Sequence, residues 1–156
     1  MCVVECPAKA ISFKGPYEDM GTGQLNDAFK EAKTSEPLII NFYCSYNLDL
    51  ALSNEELPKN IRQVNLLSLG KLSPGLILDA FEKGADGVLI TSCDDSCHFG
   101  DSCNAWAEQR TETAMDFLDS IGIEKERIKY HMFPDQDGVG LLQTANQLTE
   151  EIRKLN

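Results

Sequence analysis

Four cysteines in this chain have a type and spacing that could support metal or redox chemistry. Three of them, Cys93, Cys97 and Cys103, fall within the eleven-residue stretch CDDSCHFGDSC, which also contains His98. Thiolates are good ligands for iron–sulfur clusters and for zinc. A fourth thiol, Cys44, ends an apolar run further upstream. Together the four supply the number of sulfurs that a [2Fe–2S] cluster needs.

The spacing of these cysteines leaves other interpretations open. C-x3-C-x5-C is neither the usual zinc-finger spacing nor a ferredoxin run, so a zinc site that uses His98 ranks below a cluster. A reduced, metal-free loop fits the same residues about equally well, because free cysteine often behaves as a small buried hydrophobe. The chain lacks the C-x-x-C pair of thioredoxin-type sites, and it has neither a dinucleotide-binding glycine fingerprint nor a P-loop.

A second cysteine pair stands at the start of the chain, in MCVVECP. Cys2, Cys6 and the following proline match the closing half of the run C-x2-C-x2-C-x3-C-P, which binds [4Fe–4S] clusters. We therefore expect residues 1–23 to be the end of a truncated ferredoxin motif and a linker, with turn signals at Gly15-Pro16 and at Gly21 to Gly23. Because the motif supplies only two of the four cysteines that a [4Fe–4S] cluster needs, we expect no complete cluster of this kind on this chain alone.

Residues 24–156 have the pattern of an α/β domain. Apolar runs over 37–44 and 85–93 are typical of strands buried on both faces, and 60–67 and 127–134 are further strand candidates. Helical patterns lie between and after them, at 73–84, 104–120 and 139–155, and another precedes the first strand. This alternation predicts a four-stranded, mainly parallel sheet with flanking helices, in a flavodoxin- or Rossmann-like three-layer arrangement.

Two of the predicted helices have residues with specific expected positions. Ser73 is the predicted N-cap of the second helix, Pro74 its first residue and Gly84 its stop signal. For the long helix over 104–120 we expect an inward apolar side that consists of Trp106, Ala114, Phe117, Leu118 and Ile121.

The strand ends are where the predicted fold would place a ligand. In parallel sheets ligands bind beyond the carboxyl ends of the strands. The sequence predicts that Cys44 and Cys93 end neighbouring strands, so we expect both thiols at one edge of the sheet.

The charge balance argues against several classes of partner. Asp and Glu total 25 against 14 Lys and Arg, which gives a net charge of -11. Such a surface repels phosphate backbones and anionic lipid, so we expect neither nucleic-acid binding nor direct membrane insertion. No apolar run approaches the length of a membrane span, and we expect the first residues not to act as a signal peptide, because polar residues interrupt them. We expect a cytoplasmic protein whose thiols are reduced.

Several motifs in combination resemble one protein family. They are CSY after the first strand, GADGVL at the start of the third, CHF before the long helix and AEQR within it. From about Pro37 to Asn156 the chain resembles the delta (iron–sulfur) subunit of methyl-viologen-reducing hydrogenase. That domain is also fused behind ferredoxin-like segments in heterodisulfide reductase A-like proteins, including the flavoprotein subunit of the quinone-interacting membrane-bound oxidoreductase complex.

The resemblance implies a role in electron transfer. It predicts a relay between a donor subunit, such as a hydrogenase, and a heterodisulfide-reductase-like flavoprotein partner. FAD would belong to the parent or the partner and not to this chain. The alternative is a metal-free docking module of the same complex that has lost its [2Fe–2S] centre. The resemblance also implies that MCVVECPAKAIS ends a ferredoxin segment, so that the chain is a C-terminal fragment of a longer flavoprotein or starts at an internal methionine.

Two cysteines of the family pattern are replaced here. Cys44 matches the second cysteine of a family Cys-x-x-Cys-Ser-Tyr motif, and Asn41 stands in place of the first. Another family cysteine, in a Pro-Cys-Ser-Gly-Arg stretch, falls at about Ser68. Asparagine and serine are poor ligands for an iron–sulfur cluster.

The remaining cysteines also depart from the family spacing. The family C-x4-C pair becomes Cys93 and Cys97, one residue shorter, and Cys103 is an additional thiol. The sequence therefore predicts either a [2Fe–2S] centre rebuilt on Cys44, Cys93, Cys97 and Cys103, or the loss of that centre.

Overall fold

The computed structural model describes residues 6–8, 10–12, 20–30, 35–44, 57–93, 97, 102–133 and 139–155. The predicted ferredoxin-like arm lies mostly outside these residues, and so do Cys2 and His98. Within the described part of the chain, no helix is long and apolar enough to cross a membrane.

The core is a four-stranded sheet, and all three of its strand pairs are parallel. The strands are β1 (Ile39–Cys44), β2 (Ile61–Leu66), β3 (Gly87–Cys93) and β4 (Ile128–Phe133), in the spatial order β2-β1-β3-β4. The predicted α/β class and parallel sheet are confirmed. Every residue of β1 is buried, which explains why this strand is a continuous apolar run.

In the ranges that the structure describes, four helices flank the sheet: α1 (Met20–Lys30), α2 (Pro74–Glu82), α3 (Ser102–Ser120) and α4 (Val139–Leu155). The 3-10 turns there lie at Leu69–Lys71 and Lys125–Arg127. The predicted limits of α2 are confirmed. The Ser73 hydroxyl accepts a hydrogen bond from the Leu76 N–H at 3.2 Å. After the helix, Gly84 adopts a φ of 100°, a conformation that favours glycine.

Apolar clusters lie on both faces of the sheet. One cluster joins α1, α2 and α3 to Ile40 and Phe42 of β1. The other packs Leu141, Ala145, Leu148 and Ile152 of α4 against the opposite face, on which Ile39 and Tyr43 lie. Alternate residues of β1 therefore supply the two clusters. The sheet is the middle of three layers, as the strand pattern predicted.

The turn predicted at Gly21 to Gly23 is wrong, because both glycines lie inside α1. A Cβ atom at Gly21 would stand 3.0 Å from Leu66 Cδ2 and 3.2 Å from Leu76 Cδ2. The residue is therefore glycine because α1 packs closely against β2 and α2. The helix begins at Met20, inside the range predicted as a linker.

The inward side predicted for α3 is partly wrong. Trp106, Phe117 and Ile121 are 36%, 61% and 66% exposed. Ala114 and Leu118 are buried as predicted, and the rest of the buried side consists of small and polar residues that include Ala107 and Arg110. Small residues let α3 approach its neighbours closely, and polar neighbours stabilise the buried guanidinium. Arg110 Nη1 donates to the Gly70 and Leu72 carbonyls at 2.8 and 3.1 Å.

Candidate metal centre

The order of the strands creates a crevice beside two of the predicted ligands. β1 lies between β2 and β3, so the chain moves from β1 to one side and later reaches β3 on the other. Ligands bind at such reversals in open parallel sheets, because the loops after the two strands diverge. Cys44 ends β1 and Cys93 ends β3, so the two thiols flank this crevice at the same edge, as the sequence predicted.

Cys103 reaches the same edge from the first turn of α3. It is buried, and its Sγ lies 3.2 Å from the Ser68 hydroxyl oxygen. Ser68 follows β2 and caps the 3-10 turn, where its oxygen also accepts a hydrogen bond from the Gly70 N–H at 3.1 Å. The additional thiol of this chain therefore lies against Ser68, near which the family resemblance predicts a cysteine.

Cys97 connects the other thiols. It is buried, and its proximity raises the pKa of both the Cys93 and the Cys103 thiols. Four separate segments thus contribute the cysteines: the ends of β1 and β3, the connection after β3, and the start of α3. Within the described ranges, none of these four cysteines forms a disulfide.

Burial and crowding disfavour the thiolate form of Cys93. Burial, the hydrogen bond with Cys97 and the nearby thiols of Cys97, Cys44 and Cys103 together raise the pKa of Cys93 to about 12. Neighbouring thiolates would repel one another, so protonation or a bound cation must relieve the site. The other three sulfurs therefore lie close enough to Cys93 to affect its charge.

Cys103 has stabilising donors that oppose its burial. Burial raises the pKa of the Cys103 thiol, and Cys97 raises it further. Hydrogen bonds from the Ser68 hydroxyl and the Gly70 backbone lower this pKa. A hydrogen bond to the charged form favours that form. The net effect is still a raised pKa, so the two hydrogen bonds only partly offset the burial of Cys103.

Asn104 contributes to the site without having been predicted from the sequence. Its Nδ2 donates to the Cys93 carbonyl at 2.8 Å, and its Oδ1 lies 3.8 Å from Cys93 Sγ. The Tyr130 hydroxyl donates to the Asn104 carbonyl at 3.4 Å. These contacts tie the end of β3 to the start of α3. The sequence did contain a signal for this role, because Asn104 follows Cys103 in the first turn of a helix. A buried amide there needs hydrogen-bond partners, and the nearby strand end could supply them.

Asn41 does not join the four thiols. It lies in β1 three residues before Cys44, so its side chain is on the opposite face of the sheet. The Asn41 Oδ1 accepts a hydrogen bond from the Thr91 hydroxyl at 2.8 Å. Its buried Nδ2 has no hydrogen-bond partner among the described residues. Asn41, where the family resemblance predicts a cysteine, therefore pairs with Thr91 on the face of the sheet opposite Cys44.

Two further observations concern metal binding by these residues. Across the described ranges, no three His, Cys, Asp or Glu side chains stand ready around a single point at metal-binding distance. Side-chain rotation would thus be needed to gather the sulfurs.

The other predicted site includes Cys6, which accepts a hydrogen bond from the Ala10 N–H at 3.4 Å. A [4Fe–4S] role for Cys2 and Cys6 stays a prediction.

Comparison with known proteins agrees with the resemblance found in the sequence. Residues 39–156 match the family described as methyl-viologen-reducing hydrogenase, delta subunit. The iron-sulfur subunit of the vhc F420-non-reducing hydrogenase of Methanococcus voltae is 31% identical over 130 residues, which is 80% of this chain and 90% of that protein. The corresponding vhu iron-sulfur subunit of Methanococcus maripaludis is 30% identical over 78% of this chain and 94% of its own length.

A second kind of relative is much longer than this chain. A CoB-CoM heterodisulfide reductase subunit of Methanosarcina acetivorans is 29% identical over 129 residues, which is 79% of this chain but 16% of that protein. The similarity to both kinds of protein and the family match over most of the chain lead to one assignment. The chain belongs to the methyl-viologen-reducing hydrogenase delta subunit family.

Proposed function

We propose that this domain transfers electrons within a hydrogenase-linked or heterodisulfide-reductase-like redox complex. Its relatives are named as iron-sulfur subunits of hydrogenases and as a heterodisulfide reductase subunit. The partners would be a donor subunit and a flavin- or cluster-bearing acceptor. Cytoplasmic location and FAD in the parent or partner protein belong to the same proposal.

The proposed redox centre is a [2Fe–2S] cluster held by Cys44, Cys93, Cys97 and Cys103. The donor types suit such a cluster, because thiolates are its usual ligands and the four cysteines lie at one edge of the sheet, where side-chain rotation would have to bring the sulfurs together. When bound, the cluster supplies reversible one-electron transfer. The four residues must give up their protons to bind it, and the pKa of about 12 at Cys93 makes that step costly.

One contact carries the proposal more than any other. Cys103 Sγ lies 3.2 Å from Ser68 Oγ, and the family resemblance predicts a cysteine at about Ser68. In this proposal the Cys103 sulfur on α3 serves in place of a sulfur after β2. Ser68 and Gly70 then have a second role, because hydrogen bonds to a ligating sulfur raise the reduction potential of a cluster.

The alternative function is a metal-free docking module of the same complex. Two points favour it. The family resemblance predicts cysteines where this chain has Asn41 and at about Ser68. The environment of Cys93 suits a protonated thiol, since Asn104 Oδ1 can accept its hydrogen. In that case the domain would keep its scaffold and partner-binding surfaces without carrying electrons.

Anaerobic reconstitution distinguishes the two functions. The protein is incubated with iron and sulfide without air, and bound iron, bound sulfide, the visible spectrum and the electron paramagnetic resonance signal after reduction are measured. We expect about two irons and two sulfides per chain and lower content after purification in air. Serine substitution at Cys44, Cys93, Cys97 or Cys103 should each abolish binding.

Cys6→Ser is the matched control, because it removes a thiol from outside the proposed ligand set. This variant should keep the full iron content. Iron that survives all four substitutions, or that Cys6→Ser removes, would contradict the proposed ligand set. Absence of iron from the intact protein under every anaerobic condition would support the docking alternative.

A further inference from the structure

A buried arginine lies close to the proposed thiol site. Arg110 is the last residue of the AEQR stretch on α3 and is only 6% exposed. It follows Cys103 by seven residues, which is about two helical turns and puts both residues on the same side of the helix. Both side chains contact the segment that follows β2, where Ser68 caps the 3-10 turn Leu69–Lys71.

The 3-10 turn has buried carbonyl groups to which Arg110 donates. Two internal hydrogen bonds of 2.9 Å close the turn, and they use the Ser68 and Leu69 carbonyls. The carbonyls at the end of such a turn have no partner inside it. Arg110 Nη1 donates to the carbonyls of Gly70 and Leu72, at 2.8 and 3.1 Å. Loss of this donor would leave the turn without its connection to α3, and a buried carbonyl needs a partner.

The same turn contacts the Cys103 sulfur. Ser68 Oγ lies 3.2 Å from Cys103 Sγ and accepts a hydrogen bond from the Gly70 N–H at 3.1 Å. The Gly70 backbone acts to lower the pKa of the Cys103 thiol, so it also lies beside the sulfur. Arg110 therefore holds the carbonyls of the segment whose hydroxyl and N–H groups face the sulfur.

Trp106 restricts the arginine from a further side. The Arg110 guanidinium carbon stands 5.5 Å from the centre of the Trp106 ring, within the range of a cation–π contact. A planar guanidinium that is held by an aromatic ring and by two carbonyls has little freedom to move. The position of Arg110 Nη1 is therefore well defined, as a residue that positions another must be.

We propose that Arg110 is a positioning residue for the Cys103 ligand of the redox centre. It fixes the turn that presents the Ser68 hydroxyl and the Gly70 N–H to the sulfur. Reduction adds one electron, taken from the donor subunit or in the test from dithionite, and makes the ligating sulfurs more negative. Hydrogen bonds to such a sulfur favour the reduced state and raise the reduction potential. This inference rests on the proposed function.

The first test measures hydrogen exchange over residues 68–72 in the metal-free full chain, by mass spectrometry. In Arg110→Gln the charge is lost and the side chain is too short to reach both carbonyls. We expect exchange in this segment to be roughly tenfold faster than in the intact protein, at conditions where global unfolding does not contribute. Arg110→Lys keeps the charge and one donor group, and it should show a smaller increase.

Arg127→Gln is the matched control, because Arg127 also holds a backbone carbonyl but at the amino edge of the sheet. Its Nη1 donates to the Asp86 carbonyl at 3.2 Å. Exchange over residues 68–72 in this variant should change less than about twofold, since the altered contact lies at the other edge.

The second test measures the reduction potential of the reconstituted protein by redox titration of its visible absorbance. Arg110→Gln should lower the equilibrium constant for one-electron reduction roughly tenfold, which is about 59 mV. Ser68→Ala should lower it similarly. The double variant should lose no more than the larger single loss, because both changes act on one contact. Arg127→Gln should leave the potential unchanged.

Several outcomes would overturn the proposal. Unchanged exchange over residues 68–72 in Arg110→Gln would show that Arg110 does not hold the turn. An unchanged potential in Arg110→Gln, or an equal fall in Arg127→Gln, would leave Arg110 with a structural role alone. Additive losses with Ser68→Ala would show that the charge of Arg110 acts directly and not through the turn.

Arg110→Lys takes the place of Arg110→Gln in both tests if the glutamine variant does not fold. Loss of the cluster from folded Arg110→Lys, with full iron content in Arg127→Gln, would support the positioning role. Absence of a cluster from the intact protein would overturn the proposed function and this inference together. A cluster that binds normally but has the same potential in the Arg110 variants would overturn this inference alone.

Discussion

The two edges of the sheet use their polar groups in different ways. At the amino ends of the strands, short hydrogen bonds join neighbouring segments: the Leu38 N–H donates to Asp86 Oδ2 at 2.8 Å, and Asn60 Nδ2 donates to the Pro37 carbonyl at 2.9 Å. At the carboxyl ends, sulfur takes part in the contacts. Cys44 Sγ lies 3.7 Å from the Leu67 carbonyl, a long and weak contact.

The difference indicates that the amino edge contributes mainly to stability and the carboxyl edge mainly to binding. These two donors at the amino edge each have an oxygen acceptor at close range. Removing one partner therefore leaves the other buried without a hydrogen bond. The thiols at the carboxyl edge are polarizable and make long, weak contacts such as that of Cys44, so changing one of them removes little hydrogen bonding. We expect substitutions at the amino edge to affect folding and those at the carboxyl edge to affect binding.

The largest effect is expected at Gly87, where β3 begins. A Cβ atom there would lie 2.3 Å from Ile152 Cδ1 and 3.0 Å from the Arg127 carbonyl oxygen. Gly87→Ala should lower the free energy of unfolding by about 2 kcal/mol, measured by urea denaturation. Gly23→Ala is the control, because nothing lies within 4 Å of its added Cβ and the change suits a helix. A loss at Gly87 no larger than at Gly23 would contradict the tight packing.

Removal of one amino-edge acceptor should have the next largest effect. Asp86→Ala leaves the buried Leu38 N–H without its partner and should cost about 1–3 kcal/mol of unfolding free energy. Cys93→Ser at the other edge should cost less than about 1 kcal/mol, yet it should abolish iron binding. If Cys93→Ser destabilised the metal-free protein as much as Asp86→Ala, the contrast between the edges would fail.

The pH dependence of stability offers a smaller effect at the carboxyl edge. The unfolded chain releases the Cys93 proton near the ordinary pKa of 9.0, whereas the folded protein holds it to about 12. The unfolded state therefore binds fewer protons in this window, and the stability of the metal-free protein should fall as pH rises from about 9 to 12. Denaturation of Cys93→Ser in parallel should show a shallower fall. Identical curves for both proteins would show that Cys93 is not perturbed.

The smallest effect is expected for the polar pair of Asn41 and Thr91. Asn41 Nδ2 is buried without a partner in the described part of the chain, and the Thr91 hydroxyl donates its hydrogen to Asn41 Oδ1. Replacing both by valine removes the two polar groups together and should change stability by less than about 1 kcal/mol in either direction, measured by urea denaturation. A loss above about 2 kcal/mol would show that the pair makes a net stabilising contribution.

The sequence predicted the features that depend on local patterns. The strands over β1 and β3 are continuous apolar runs, and α2 carries its own start and stop signals in Ser73 and Gly84. The placement of Cys44 and Cys93 at one edge was predicted because neighbouring parallel strands end at the same edge of a sheet. Such features need no knowledge of which distant residues touch.

The features that were missed depend on packing between elements. Gly21 has a turn-like identity but lies in a helix that packs closely on Leu66 and Leu76. Hydrophobicity could not predict the inward side of α3, because a buried Arg110 finds backbone acceptors on a distant 3-10 turn. The contact between Ser68 and Cys103 joins residues that are 35 positions apart. No local pattern contains that information.

The central claim is that Cys103 provides the ligand that Ser68 does not, and one exchange of residues tests it most directly. Iron content and the visible spectrum are measured after anaerobic reconstitution of the intact protein, Cys103→Ser, and Ser68→Cys/Cys103→Ser. Because the two side chains lie 3.2 Å apart, we predict that Cys103→Ser loses the cluster and that the double variant regains it. Full iron binding by Cys103→Ser, or no recovery in a correctly folded double variant, would contradict the claim.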